Sequence, residues 1–380
     1  MKRCLSLFFC LIFILQGLLF FRQPSQGIIQ NENRRLAQWP SKLVWNNAGF
    51  KEYTAAADKY FGDRIIWRQT LIELAARAKL ALHDVPNFEK AFLGKENWLF
   101  FGNVGNFTVA KLTGNIGQQT QFDSNWFIAH VIETFDNYKN QGVPGIFLLG
   151  PNKSSVYGEY LPDFIHPTKR RYSASLLEKI SQAKIPVSDP TTALLVAKPQ
   201  GYLYWKSDSH WNFFGASIAF QAFLNQLRNS FGYNLELPPF TIETADKGYL
   251  GDLYKIAGIS DYHPDVIDNY LLTWSAKGNL TETNMANEQG GSLNFPLLGF
   301  SGSKHRTPQV GQPIRVVNTQ AASELRVWLF HDSFSVALSP FFHAIFAETW
   351  HFHQADFGKA SVEQYGKPDL IVYESVERYL

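Results

Sequence analysis

The chain has 380 residues, 45% hydrophobic and 18% charged, with ten Trp, 16 Tyr and 32 Phe. This composition supplies a buried core for one large domain or two ordinary ones and argues against disorder; a net charge of +2 without a basic cluster argues against a nucleic-acid partner. The two cysteines, Cys4 and Cys10, fall in the first ten residues, so the rest of the chain has no disulfide framework, cysteine-ligated zinc or cysteine nucleophile.

Lys2 and Arg3 precede an uncharged run from Cys4 to Phe21, the pattern of a secretory signal at the lower limit of a membrane span. Its exit, Leu19-Phe20-Phe21-Arg22-Gln23-Pro24-Ser25, offers no small-x-small cleavage site, so an uncleaved anchor is expected ahead of a cleaved signal. Positive charge before the span predicts a cytoplasmic N-terminus and an exported body, and a cysteine-free body suits a bacterial periplasm. Residues 1–27 therefore read as signal anchor and linker, and 28–114 as an N-terminal helical extension packed on the core. Residues 115–380 read as the main domain.

Helix spacing runs through Ile65, Trp67, Leu71, Leu74 and Ala75, predicting a helix within 51–82; Lys95 to Phe101 reads as a turn feeding a short strand. Beyond residue 115, helices are predicted at 122–138, 173–183 and 213–229. Strands are predicted at 145–149, 185–187, 325–330 and 369–373. This alternation predicts an α/β three-layer fold with a mostly parallel sheet. Residues 232–320, rich in Gly, Asn, Thr and Pro, read as a long insertion.

Three segments carry candidate chemistry. In Lys206-Ser207-Asp208-Ser209-His210-Trp211-Asn212, an Asp two residues before a His can orient the imidazole and stabilise its protonated form; the alternative is a surface loop before a helix. In His331-Asp332-Ser333-Phe334-Ser335, a Ser after an apolar strand can present its hydroxyl at the sheet's carboxyl edge; otherwise Ser333 or Asp332 caps the next helix. In Gly150-Pro151-Asn152-Lys153-Ser154, Asn152 can donate to an oxyanion and Lys153 can contact substrate, or the segment is a capped turn.

The order Pro-Asn-Lys-Ser, then Ser-Asp-Ser-His-Trp-Asn, then Asp-Ser-Phe-Ser resembles the AlgX/AlgJ family of alginate O-acetyltransferases. Supporting pieces are Asn33-Arg34-Arg35-Leu36-Ala37, Tyr60 to Arg64 with Trp67-Arg68, Gly94-Lys95 before Trp98-Leu99-Phe100, and Pro368 to Val372 with Glu377-Arg378. The resemblance implies an SGNH-hydrolase-like α/β/α fold with permuted motif order, Ser333 as acetyl-accepting nucleophile, His210 as its general base and Asp208 as the carboxylate orienting that base. It implies O-acetylation of an exopolysaccharide in the periplasm, an acetyl group relayed by a membrane-bound O-acyltransferase, and other exopolysaccharide export proteins as partners. No cofactor and no metal are expected. His331 stands where a Gly is common before Asp-Ser, and no carbohydrate-binding module is expected after the last strand, which brings the resemblance nearer the AlgJ-like type.

His351-Phe352-His353 offers a further arrangement: a metal site with His331 and Asp356, or a half-exposed strand with a polar face. His331 is also a second candidate for the base. His83, His130, His166, His263, His305 and His343 read as ordinary surface or core residues. Trp211, Trp205 and Tyr204 either stack on sugar rings or pack beneath the triad. An acetylesterase with the same three residues, and a non-catalytic polymer-binding subunit, are the rival functions.

Overall fold

The structure is a computed structural model, and it describes residues 28–29, 34–40, 45–65, 70–71, 74, 90–104, 106–246, 248–257, 269–275, 279–284, 289–294 and 308–380. They fall into two units, residues 1–86 with 254–262, and residues 87–253 with 263–380. The predicted anchor lies outside the described residues, among which no helix is long and apolar enough to cross a membrane.

In the smaller unit, β1 (Ile28–Ile29) pairs with β2 (Arg34–Arg35), and α1 spans Asn47–Asp63. The helix starts at Asn47 because Asn46 caps it, its side chain accepting from the Gly49 N–H at 2.7 Å. It ends at Asp63, and Thr70, Leu71 and Leu74 of the predicted stretch are helical; Trp67 and Ala75, which also carried that prediction, lie outside the described residues.

The larger unit opens with a hairpin of β3 (Ala91–Leu93) and β4 (Leu99–Phe101), then α2 (Thr108–Thr113) and α3 (Gln118–Asn140). Next come β5 (Gly145–Gly150), α4 (Lys153–Val156), α5 (Tyr172–Gln182), β6 (Val187–Ser188), α6 (Thr191–Ala197) and α7 (Phe213–Phe231). The stretch read as an insertion carries β7 (Phe240–Thr244), α8 (Asp252–Ala257, of which residues 254–257 are grouped with the smaller unit), β8 (Tyr270–Trp274), β9 (Asn279–Asn284), β10 (Gln289–Asn294) and β11 (Ile314–Asn318). The chain closes with β12 (Ser323–His331), α9 (Ser335–Ile345), β13 (Phe346–His353), α10 (Val362–Tyr365) and β14 (Leu370–Val376).

The main sheet has the order β10-β9-β11-β13-β12-β14-β5-β6. From β13 to β6 every pairing is parallel, whereas β11, β9 and β10 add antiparallel strands at one end. The sheet is therefore wider than the predicted strands alone, because the stretch read as an insertion supplies three of its members. His351-Phe352-His353 is the end of a mostly buried strand between β11 and β12, which replaces the half-exposed strand expected there.

Two layers of helix cover this sheet. On one face Phe147, Leu149, Trp328, Phe330, Trp350, Phe352, Ile371 and Tyr373 meet Ile128, Val131, Phe135 and Tyr138 of α3 and Leu176, Leu177 and Ile180 of α5. The period-two alternation of a strand puts the buried Val327, Leu329 and His331 on the opposite face. There α7 and α9 pack together through Phe220 on Phe341 (5.6 Å, stacked) and Phe223 on Phe342 (5.4 Å). The fold is thus α/β with three layers, as the alternation predicted.

The strand order decides where chemistry can occur. The chain moves outward from β5 to β6, restarts on the other side with β12 and β13, and returns through β14 between β5 and β12. The turns after β5, β14 and β12 therefore lie side by side at one carboxyl edge, the place where open α/β sheets bind ligands.

Candidate active site

Ser333 follows β12 at that edge, in a turn held from below. The Asp332 carboxylate accepts from the Phe334 N–H with one oxygen and from the Val376 N–H with the other, both at 2.8 Å. The Glu374 carboxyl accepts from the Asp332 N–H at 3.3 Å and the Ser335 hydroxyl at 3.0 Å. Burial and the neighbouring Asp332 push Glu374 well above the ordinary carboxylate range, so Glu374 keeps a proton under the turn that carries Ser333. Neither Ser333 nor Asp332 is the cap of α9; Phe334 takes that position without a side-chain bond.

The Asp-x-His segment is carried by a loop that Tyr204 and Trp211 close through an antiparallel bridge. Asn212 ends the loop by capping α7, its side-chain oxygen accepting from the Gly215 N–H at 2.9 Å. Trp211 docks the loop onto the nucleophile turn, its indole N–H donating to the Phe334 carbonyl at 3.0 Å. Trp211, Tyr204 and Trp205 are almost wholly buried, so of their two readings the structure selects packing beneath the triad over stacking on sugars.

These supports bring the three residues together. His210 Nδ1 lies 2.5 Å from Asp208 Oδ1, and His210 Nε2 lies 2.7 Å from Ser333 Oγ. The His210 N–H also donates to Asp208 Oδ1 at 2.9 Å, so the carboxylate fixes both backbone and ring. Burial alone would raise the Asp208 carboxyl, but the charge and hydrogen bonds of His210 outweigh it and hold it well below its ordinary value. Burial alone would lower the His210 imidazole; the Asp208 charge and hydrogen bond, aided by Asp252, outweigh it and raise it, with Arg378 pulling the other way. A neutral imidazole whose Nδ1–H donates to a carboxylate, which fixes its tautomer, and whose Nε2 faces a serine hydroxyl can take that hydroxyl's proton.

Asn152 begins α4 at the turn after β5, and its side chain makes no capping bond. Its N–H donates to Glu377 Oε2 at 2.9 Å, and it lines a cavity of about 220 Å³ together with Lys111, Ser155, Arg171 and Glu377. Lys153 is corrected as a substrate contact. It is buried, and its ammonium donates to the carbonyls of Trp205, Lys206 and Asp208 at 3.1, 3.0 and 2.7 Å, bracing the loop that carries the dyad.

His331 does not replace His210. Its Nδ1 is 2.7 Å from the Asp332 carbonyl and its Nε2 is 3.1 Å from His351 Nδ1, while His351 Nε2 is 2.8 Å from His343 Nε2. Burial lowers the His331 imidazole to about 4, so it stays neutral in this chain of rings. The four-residue metal arrangement is not assembled: Asp356 accepts from the Gly311 N–H, and His353 accepts from the Ala355 N–H. His343, read as ordinary, belongs to the ring chain.

Several site residues escaped the sequence reading. Asp252 holds Ser209 through both carboxylate oxygens, and its own N–H donates to Asp208 Oδ2 at 2.9 Å. The ligand atoms of Asp208, His210 and Asp252 lie within 4.8 Å of one another. Each is also engaged in hydrogen bonds that the fold supplies. Arg378 is buried with its guanidinium 5.2 Å from the Phe334 ring. The available signals were the Gly251-Asp252 pair inside a polar stretch and Glu374 inside an apolar strand.

Comparison with known proteins places the fold. A probable alginate O-acetylase, AlgJ, of Pseudomonas syringae pv. tomato is 26% identical over 213 residues, 53% of this chain and 50% of that protein. The chain thus spans about half the length of that curated relative. The O-acetyltransferase domain of Pseudomonas putida AlgJ superposes with a TM-score of 0.51 at 17% identity, covering 76% of this chain and 92% of that one. Bacillus cereus PatB1 superposes with a TM-score of 0.53 at 17% identity, covering 76% and 96%. These likenesses show a shared fold. The family model for the SGNH hydrolase-like domain of acetyltransferase AlgX matches residues 91–287, which include Asp208 and His210 and end before Ser333. That match covers just over half of the chain, which therefore belongs to the AlgX-type family of SGNH hydrolase-like acetyltransferases.

Proposed function

We propose that this protein is an O-acetyltransferase that moves an acetyl group onto a hydroxyl of an exopolysaccharide in the periplasm, tethered there by its N-terminal segment. The observation that carries the reading is the continuous path from Asp208 through His210 to Ser333, with contacts of 2.5 and 2.7 Å. Family membership and the alginate O-acetylase named among its relatives support the acceptor class.

In the first half-reaction the Ser333 hydroxyl proton passes to His210 Nε2 as Oγ attacks the carbonyl carbon of an acetyl donor. The tetrahedral oxyanion is held by the backbone N–H of Ser333 and the side-chain amide of Asn152, each such donor being worth about 2.7–4 kcal/mol. The intermediate collapses as the imidazolium returns its proton to the leaving group, which leaves acetyl-Ser333. In the second half-reaction a sugar hydroxyl gives its proton to His210 and attacks the ester, and the imidazolium returns that proton to Ser333 Oγ as the serine leaves and the acetyl group stays on the sugar. The donor is relayed by a membrane-bound O-acyltransferase, and other exopolysaccharide export proteins present the polymer.

The test follows the intact mass of the full-length protein with p-nitrophenyl acetate, with and without a panel of oligosaccharides, for wild type and Ser333→Ala. A one-acetyl gain on wild type alone, moving to an oligosaccharide, is the expected result. Loss of turnover in Ser333→Ala by about 10³-fold or more is expected as well. Acetate release without an acetylated sugar would instead make the protein an esterase. Equal turnover by Ser333→Ala would remove Ser333 as nucleophile, whereas no adduct and no turnover in wild type would favour a non-catalytic polymer-binding subunit.

A further inference from the structure

The proposed chemistry uses three residues, yet a fourth acidic side chain is built into the same relay. Asp252 receives the Ser209 N–H on one carboxylate oxygen and the Ser209 hydroxyl on the other, both at 2.8 Å. Its N–H donates to Asp208 Oδ2 at 2.9 Å, so the two oxygens of Asp208 are divided between His210 and Asp252. The oxygen that takes the Ser209 hydroxyl also lies 3.9 Å from His210 Nδ1. The residue before it is fitted to the contact as well. A Cβ on Gly251 would stand 2.2 Å from Asp208 Cβ, so only glycine allows this close approach. The Gly251 N–H and the Leu253 N–H are in turn held by Ser207, at 2.8 and 3.0 Å.

We infer that Asp252 is a positioning residue of the relay, which clamps the Asp208-Ser209-His210 segment and sets a second negative charge beside the imidazole that receives the Ser333 proton. The assignment rests on the reading of Ser333 and His210 as nucleophile and base. Its physical content is charge as well as geometry. When His210 becomes an imidazolium, Asp208 neutralises it at contact distance and Asp252, its side chain 36% exposed, adds a partly screened attraction from 3.9 Å. The groups facing His210 are Asp208 and Ser209 from its own loop, Asp252 from the start of α8, Ser333 and the Phe334 ring from the turn after β12, and Arg378 from the turn after β14. Lys153 of α4 reaches the Asp208 carbonyl. Asp252 opposes Arg378 in this set, one favouring the imidazolium and the other disfavouring it.

Two readouts test the charge separately from the clamp, both on full-length protein with p-nitrophenyl acetate as probe. In Asp252→Asn the acid limb of kcat/KM, and the His210 imidazole titration followed by NMR, are expected to move to lower pH by about one pH unit or more. The plateau rate is expected to fall about tenfold. Ser209→Ala breaks one clamp bond and keeps the charge; it is expected to lower the rate a few-fold and leave the limb in place. A folded Asp252→Asn protein whose His210 titrates as in wild type would overturn the inference. So would a limb displaced equally in Ser209→Ala. Turnover that survives in Ser333→Ala would overturn the nucleophile reading, whereas the NMR titration would still judge Asp252 on its own.

Discussion

Lys153 shows how one side chain changes meaning between sequence and structure. Next to Asn152 and after a strand, it reads as a cation for substrate; in the fold its ammonium is spent on three carbonyls of the loop bearing Asp208. Trp98 and Phe100 lie beneath it, with ring centroids 5.6 and 5.5 Å from the ammonium. Lys153→Met keeps most of the volume and removes the donors. It is expected to cost about 1–3 kcal/mol in denaturant unfolding and to slow ester turnover. Unchanged stability together with unchanged turnover would show that Lys153 braces nothing. Sequence reasoning missed the brace because its acceptors are backbone carbonyls more than fifty residues away, which no side-chain pattern marks.

At the scale of elements, the junction of β12 with β14 decides where Ser333 stands. Glu374 follows the apolar run Leu370-Ile371-Val372 and Tyr373 in its strand, and it meets Asp332 where the strands end. Its folded-state pKa lies above the unfolded one, so the folded chain keeps a proton that the unfolded chain releases in the ordinary carboxylate range. The stability this gives is fully present below that range and is lost as pH rises from there through the raised folded value. Each tenfold difference in proton affinity between the two states is worth about 1.4 kcal/mol. Glu374→Gln cannot ionise and retains a donor for Asp332. Thermal melts are expected to match wild type near about pH 5 and to lie above it near about pH 8. Parallel melting curves across this interval would show that Glu374 carries no such proton. An apolar strand with a single acidic residue was visible in the sequence, but its partner was not, because β12 and β14 become neighbours only through the strand order.

For the larger unit as a whole, the sheet separates two cores. Phe352 stacks on Phe330 at 4.8 Å on the α3 side, while Phe220 stacks on Phe341 at 5.6 Å in the layer of α7 and α9. Phe352→Leu and Phe220→Leu are each expected to cost about 1–2 kcal/mol. With a sheet between them, the double variant is expected to show their sum to within about 0.5 kcal/mol in chemical denaturation. A coupling well beyond that would mean that the two layers share one packing unit.

The sequence by itself determined the periodicities, and with them the alternation of strand and helix, the parallel sheet, and the placement of Asp208, His210 and Ser333 at the ends of elements. Those features are local: a run of apolar residues, a capping Asn212, a Ser after a strand. The tertiary structure alone decided that 123 residues of separation close to a 2.7 Å contact. It also decided that Asp252 and Glu374 join the site and that Lys153 and Trp211 turn inward. The reason is physical. Strand order and loop closure set which distant backbones meet, and only after they meet do burial and hydrogen bonding assign each polar side chain its partner.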